Sequence, residues 1–293
     1  MLYSGKDLRK LIIPLIIEQI LAIAVGMADT IMVSAAGEAA VSGVSLVDTV
    51  NILLINVFSA LATGGAVVSG HFLGKKKRED ACKSAWQILL FATLLAFVIS
   101  VIFITAHDPL LRLMFGKIED DVMKASKTYL IITTYSFVAL AIYNSCAALF
   151  RAMNESKVTM WVSLLMNVIN VVGNAICIYG LHMGVAGVAI PTTISRYVAA
   201  VVIFLLMFQT KKEINLCGQI TWKFNGSLIK KILYIAIPNG LENSMFQLGK
   251  ILVMSAVATM GTSAIAANAV TGTIAKSRRP SGLRKTITIH NSL

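Results

Sequence analysis

With 293 residues, 57% of them apolar and only 14% charged, and a mean hydropathy of +0.78, the chain is too apolar for a soluble domain of its size, which ordinarily carries about a quarter charged residues. Its formal net charge of +12 does not point to nucleic acid, because Lys and Arg collect in short segments between apolar runs, the pattern of membrane topology. The four cysteines, Cys82, Cys146, Cys177 and Cys217, are scattered without metal-ligand spacing and give neither a disulfide framework nor a metal site.

The opening stretch "MLYSGKDLRK" is too polar for a cleaved signal peptide, and the run after it is too long for a signal h-region. The first span is therefore expected to stay in the mature protein. Seven spans are predicted, at 11–36, 45–73, 84–107, 124–150, 158–180, 185–208 and 229–259. Each reaches the ~20 residues that cross ~30 Å of hydrocarbon. They are predicted as helices, because lipid admits only helices or closed barrels and the alternation of a barrel is absent.

The first span, "LIIPLIIEQILAIAVGMADTIMVSAA", holds Glu18 and Asp29. Three helical turns separate them, so they share one face about 16 Å apart, with the small residues Ala22 and Gly26 between. An ionised side chain near mid-membrane costs about 2.5–3.5 kcal/mol. Two on one face are expected to look into a polar cavity. For Glu18 a second reading stays open, a near-interface residue reaching the cytoplasmic headgroups.

Asn56, Ser59 and Thr63 in the second span, and Thr133, Ser136 and Tyr143 in the fourth, form lesser stripes of the kind that usually serves packing. The fifth span is clearer. In "VTMWVSLLMNVINVVGNAICIYG", Ser163, Asn167, Asn170, Asn174 and Cys177 recur at helical spacing on one face. Carboxamides in hydrocarbon need partners, so this face is expected to look into the bundle; hydrogen bonding between helices without transport is the competing reading. In the seventh span, Asn239, Glu242, Gln247 and Lys250 fall roughly on one side, and Pro238 removes a backbone donor where the helix is expected to break or bend.

Shifting the chain by 224 residues lays "IPLIIE" (Ile13 to Glu18) on "IPNGLE" (Ile237 to Glu242) and Gly37 on Gly261. Six spans separate the two copies, so they run in the same direction, as in the parallel repeats of secondary transporters. The second copy fades after about a dozen residues of an eighth span into "SRRPSGLRKTITIHNSL". A gene cut or frame-shifted within that span is the expectation. The predicted architecture is all-α: a polytopic membrane helix bundle, with a six-helix N-terminal lobe and the start of a second, parallel-repeat lobe. Its divisions are 1–210 for the first lobe, 211–228 for a basic linker, 229–275 for the partial second lobe and 276–293 for an aberrant basic tail. Lys6, Arg9 and Lys10, the "KKKR" at Lys75–Arg78, Arg151, Lys157 and the linker lysines alternate with base-poor loops, which places the N-terminus in the cytoplasm.

No Walker loop is present, and His71, His107, His182 and His290 stand apart near span ends. Nothing suggests an enzyme. Any work done must draw on an ion gradient.

On three stretches the chain resembles the multidrug and toxic-compound extrusion (MATE) family of cation antiporters. They are "GMADTIMVS" (Gly26 to Ser34), "ALFRAMNESKVTMWVSLLMNVINVVGNAICIYG" (Ala148 to Gly180) and "GVAGVAIPTTIS" (Gly184 to Ser195). The resemblance implies twelve helices in two lobes, and export of organic cations by alternating access against inward Na+ or H+. That would be the work of a protein of the bacterial-type plasma membrane, with lipid around it and no obligate protein partner or cofactor. It also implies that Asp29 is the cation-coupling aspartate and that Asn170 stands near it, the two together as a Na+ site. Where many relatives have a further aspartate, this sequence has Asn174, which leaves fewer negative charges in the lobe. The candidate coupling and substrate-binding residues are Asp29, Asn170, Asn174, Asn167, Glu18 and Glu242. A lipid-linked saccharide or lipid flippase of related architecture, and a truncated remnant without activity, are the alternatives.

Overall fold

In the computed structural model residues 5–116, 118–209, 213–216 and 223–278 are described, and their regular structure is all helical, with no strand among them. The helices are α1 (Gly5–Ser34), α2 (Glu38–Gly74), α3 (Arg78–Thr105), α4 (His107–Phe115), α5 (Asp120–Thr134), α6 (Phe137–Ala152), α7 (Ser156–Ala175, prolonged by a π turn over Ile176–Gly180), α8 (Ala186–Leu206), α9 (Gly226–Ala258) and α10 (Thr262–Arg278). Most of the expected tail, from residue 279 onward, lies outside the described residues.

Among the described residues five helices are long and apolar enough to cross a membrane: α1 from Ile12, α2, α3, α7 with its π turn, and α8. The pair α5 and α6 makes a sixth span, bent by 51° at its break. The seventh expected span is a helix, but Asn239, Glu242, Asn243, Gln247 and Lys250 dilute its apolar run, and it falls short of that measure. Pro238 does not break it; α9 runs on from Gly226 to Ala258.

Sidedness within the bundle is reversed from that of a soluble protein. On α7 the polar residues Ser163, Asn167, Asn170 and Asn174 are buried. The opposite face, Trp161, Leu165, Val168, Val172 and Ile176, is exposed, Trp161 by 63%. Leu94, Phe97, Val98, Val101 and Ile102 make a similar outward band on α3. Apolar residues outward and carboxamides inward is the arrangement hydrocarbon demands and water penalises. The chain is an integral membrane protein.

The central helix is α2, against which α3, α5, α6, α9 and α10 pack, while α1 lies along α7 and α10. Glycine sets the closest approach: a Cβ at Gly64 of α2 would stand 2.6 Å from the Ile232 carbonyl oxygen of α9. Around it, Leu61, Val68, Ile88, Ile232 and Ala236 form one apolar cluster.

The offset of 224 residues holds in backbone detail. Helix α1 ends at Ser34 and α9 at Ala258, and α2 begins at Glu38 and α10 at Thr262, each pair 224 apart. Gly37 and Gly261 take the same left-handed turn, with φ of 102° and 99°. The turn bonds match as well: Gly37 N–H to Ser34 O and Val41 N–H to Gly37 O recur as Gly261 to Ala258 and Ile265 to Gly261. Only glycine takes this φ at no steric cost, which is why it persists in both copies.

The described parts of the linker lie on the bundle. Arg78 Nε donates to Glu213 O at 2.9 Å, and Ile214 N donates to Met153 Sδ at 3.3 Å. Gln87, 3% exposed, donates to Lys223 O and accepts from Asn225 N, both at 2.9 Å. The Asn225 side chain in turn caps α9 by accepting from Leu228 N. The turns after the second, fourth and sixth spans therefore meet at one end of the bundle.

Candidate functional site

Asp29, one turn before the end of α1, points at α7. Asn174 Nδ2 donates to Asp29 Oδ1 at 2.7 Å and reaches Asn170 Oδ1 at 3.4 Å. Asn170 Nδ2 donates to Thr192 Oγ1 of α8 at 2.8 Å, and Thr192 Oγ1 donates to Val188 O. Asn174 is wholly buried, and its own Oδ1 has no hydrogen-bond partner. The sequence spacing placed these amides on one face; the packing of α1 and α8 turns that face into a connected polar network.

A second carboxylate stands within electrostatic reach of Asp29: Asp48 of α2. Tyr129 of α5 donates its hydroxyl to Asp48 Oδ1 at 3.0 Å, and Asn51 Nδ2 approaches the same oxygen at 3.4 Å. Asn51 is 2% exposed, and its Oδ1 is without a partner. Arg196 of α8 acts electrostatically on both Asp29 and Tyr129, and its Nη1 donates to Ser136 Oγ at 2.8 Å.

Ser136 sits in the break between α5 and α6, and the sequence explains the break. The run Thr133–Thr134–Tyr135–Ser136 supplies three hydroxyls that bond backbone carbonyls one turn back, those of Tyr129, Leu130 and Thr133. Carbonyls at the break are taken up by neighbouring side chains: Thr193 donates to Ile132 O, Ser100 to Thr134 O and Tyr197 to Tyr135 O. A helix can open at membrane depth only where such partners replace its ladder.

The remaining candidates lie elsewhere. Glu18 faces Arg151 Nη1 at 3.7 Å, beside the end of α6. Its Oε2 is buried without a hydrogen bond, and Tyr143 stands nearby. This pair lies at the end of the bundle where the linker docks. Asn167 is buried with a partnerless Nδ2 between the two clusters. Glu242 lies on an exposed stretch of α9 and takes no part in the Asp29 network. Lys250 stands over the ring of Phe246, 4.7 Å from its centre. Gly26 admits no close neighbour, since a Cβ there would meet nothing within 4 Å. Asn56 and Thr63 bond their own helix one turn back, as packing residues do.

Sequence reasoning missed Asp48, Asn51, Tyr129, Thr192 and Arg196. The signal was present for two of them, because Asp48 in "SLVDTVNILL" and Arg196 in "TTISRYVAAVV" are lone charges inside apolar runs, the criterion that singled out Asp29. Among the described residues no group of three or more His, Cys, Asp or Glu side chains is arranged to hold a metal ion. What the site offers instead is one or two carboxylates with neutral amide and hydroxyl oxygens, a donor set suited to a hard monovalent cation or a proton.

Comparison with known proteins agrees with this architecture. The chain is 28% identical over 266 residues to an uncharacterized transporter, YisQ, of Bacillus subtilis (strain 168), which covers 89% of this chain and 58% of the relative. It is 25% identical over 269 residues to a probable multidrug resistance protein NorM of Thermotoga maritima, covering 90% and 57%. Among solved structures, the MATE multidrug transporter DinF-BH, in complex with a small molecule, superposes with a TM-score of 0.83 at 24% identity, over 92% of this chain and 60% of that one. The chain thus spans somewhat more than half the length of the relatives it matches. The MatE family model matches residues 14–176, more than half of the sequence, and the chain belongs to that family of transporters.

Proposed function

We propose that the chain carries the cation-coupling lobe of an antiporter that exports organic cations by alternating access, driven by Na+ or H+. The observation that carries this reading is the Asp29 carboxylate turned onto Asn174 at 2.7 Å, inside a bundle whose outer surface is apolar. A carboxylate kept there is stabilised when a positive passenger arrives and costs most when alone. Loading a cation at Asp29, with Asn170 and Asn174 as neutral partners, changes the relative energy of two lobe arrangements, as any ligand with differential affinity must. The names of two relatives support a small organic substrate: both are multidrug proteins, one of them a structure in complex with a small molecule.

The division into a lobe over 1–210, a linker over 211–228 and the start of a second lobe over 229–275 belongs to the same reading, supported by the matched turns at Gly37 and Gly261. A cytoplasmic N-terminus is supported by the meeting of the basic turns at Arg78 and Arg151 with the linker at one end. A flippase for an anionic lipid phosphate calls for a cavity of the opposite sign; here two carboxylates stand against one guanidinium.

The test is dye efflux from cells expressing the chain, and from vesicles containing it under separately imposed Na+ and pH gradients. Asp29→Asn is expected to abolish gradient-driven efflux of a cationic dye. Undiminished efflux removes Asp29 from the mechanism.

A further inference from the structure

Asn174 stands where a carboxylate would give the site a second negative charge, yet the site is not short of one. Asp48, on the central helix α2, stands within electrostatic reach of Asp29, and it is fixed by Tyr129 and approached by Asn51. Two buried amide oxygens, Asn174 Oδ1 and Asn51 Oδ1, lie one beside each carboxylate, and neither has a partner. Partnerless oxygens of fully buried amides are costly and call for a donor or a cation. Opposite them Arg196 supplies the positive charge, anchored on Ser136 Oγ in the α5–α6 break. The four charged or titratable groups around the site come from four elements: Asp29 from α1, Asp48 from α2, Tyr129 from α5 and Arg196 from α8.

We propose that Asp48 is the second carboxylate of the Asp29 site and that Arg196 is its resident counter-charge, so that the site carries one net negative charge and binds a single monovalent cation. Arg196 then does two things. It offsets one carboxylate when no cation is bound, which lets two aspartates share one cavity. It also links site occupancy to the discontinuity between α5 and α6, because the guanidinium that feels the bound cation is the one holding Ser136. Discontinuous helices beside a polar cavity are where transporters place ion sites. The inference rests on the proposed cation-coupled function and names the residues that set the charge of its site.

The experiment is a charge-balance series on the purified chain in lipid nanodiscs, reading the apparent affinity for Na+ from thermal stabilisation by NaCl against choline chloride. A pH series in choline chloride separates a proton from a metal cation. Asp48→Asn is expected to weaken cation binding at least about tenfold, the scale of one charge–charge interaction at an effective dielectric near 20. Arg196→Gln is expected to strengthen it by a similar factor. The double variant restores the single net charge and is expected to return to within about threefold of the parent, which also shows that it folds.

Loss of cation response in Asp29→Asn but not in Asp48→Asn overturns this inference alone. A double variant no better than Asp48→Asn excludes Arg196 as the counter-charge and overturns it equally. A parent chain whose response to Na+ and to pH matches that of a chain lacking both aspartates, or an Asp29→Asn variant that keeps the parent's full response, overturns the proposed function itself.

Discussion

Replacing Gly64 by alanine adds one methyl group at the closest approach of α2 and α9. The new Cβ would lie 2.6 Å from Ile232 O, 2.9 Å from Ala236 Cβ and 3.1 Å from Ala236 N, where ordinary contact begins at 3.4 Å. All three atoms belong to backbone or are rigidly attached to it, so no side chain can swing aside. The helices must part by about 0.8 Å, which also loosens the cluster of Leu61, Val68, Ile88 and Ile232. Overpacking of this kind costs about 1–3 kcal/mol. It is offset in part by the gain of roughly 1 kcal/mol on replacing a helical glycine with alanine. Gly26→Ala is the matched control, because it carries the same helix term and its Cβ meets nothing within 4 Å. The difference between the two variants isolates the steric cost, and it is expected to be about 1–3 kcal/mol in reversible unfolding of the purified protein. Variants equal within about 0.5 kcal/mol would refute the close packing of α9 on α2.

Asn174→Leu removes the donor from Asp29; compared in the parent and in an Asp29→Leu background, so that the cost of the orphaned Asn174 Oδ1 cancels, the coupling between the two residues is expected to be about 1.5–3 kcal/mol in the same unfolding assay, the contribution of a hydrogen bond to a charged group. A coupling near zero would mean that the 2.7 Å contact does not hold in the protein. Gln87→Leu strips Lys223 O and Asn225 N of the side chain that bonds both, and amide exchange over residues 225–230 is expected to quicken at least about fivefold, at about 0.5–1.5 kcal/mol for each hydrogen bond lost; unaltered exchange would show that the linker is held by other contacts. Asp108 pairs with Lys127 Nζ at 2.6 Å, and that ammonium holds its carboxyl below the usual range, helped by His107 and Arg112. A carboxyl so depressed stabilises the fold above its unfolded value near 4 and ceases to do so as pH falls through the folded one. Acid is therefore expected to free α4 from α5, seen as faster labelling of a cysteine placed at Leu111, which is 1% exposed in the folded protein, with Lys127→Met abolishing the pH dependence.

The parts of this fold legible in the sequence were those written in local period. The amide stripe of α7 recurs at helical spacing, and the structure buries all four of its Ser and Asn positions. The repeat at 224 residues was readable from one shared motif and one glycine, because a left-handed turn needs glycine whatever its neighbours. The break between α5 and α6 was not read. Its cause, hydroxyls competing for carbonyls, looks in sequence like a run of tolerable polar residues, and its stability depends on Ser100, Thr193 and Tyr197 arriving from other helices. Asp48 and Arg196 went unread for a similar reason. Each is one charge in an apolar run, and only the packing of α2 and α8 brings them to Asp29.

Polar groups within the spans divide by where their hydrogen bonds go, and this division separates packing from function better than burial does. Thr49, Asn56, Thr63 and Thr105 bond a carbonyl of their own helix one turn back and are complete within it. They would be at home in any membrane helix. Asn51 and Asn174 direct their amide donors at carboxylates of Asp48 and Asp29 and leave buried oxygens without partners. An arrangement of that kind loses about 1–3 kcal/mol for each orphaned atom, and an apolar residue of similar size would have avoided the loss. The proposed cation coupling gives its presence on two separate helices, facing two carboxylates, a reason: a small cation that those oxygens would hold for part of a transport cycle and release for the rest.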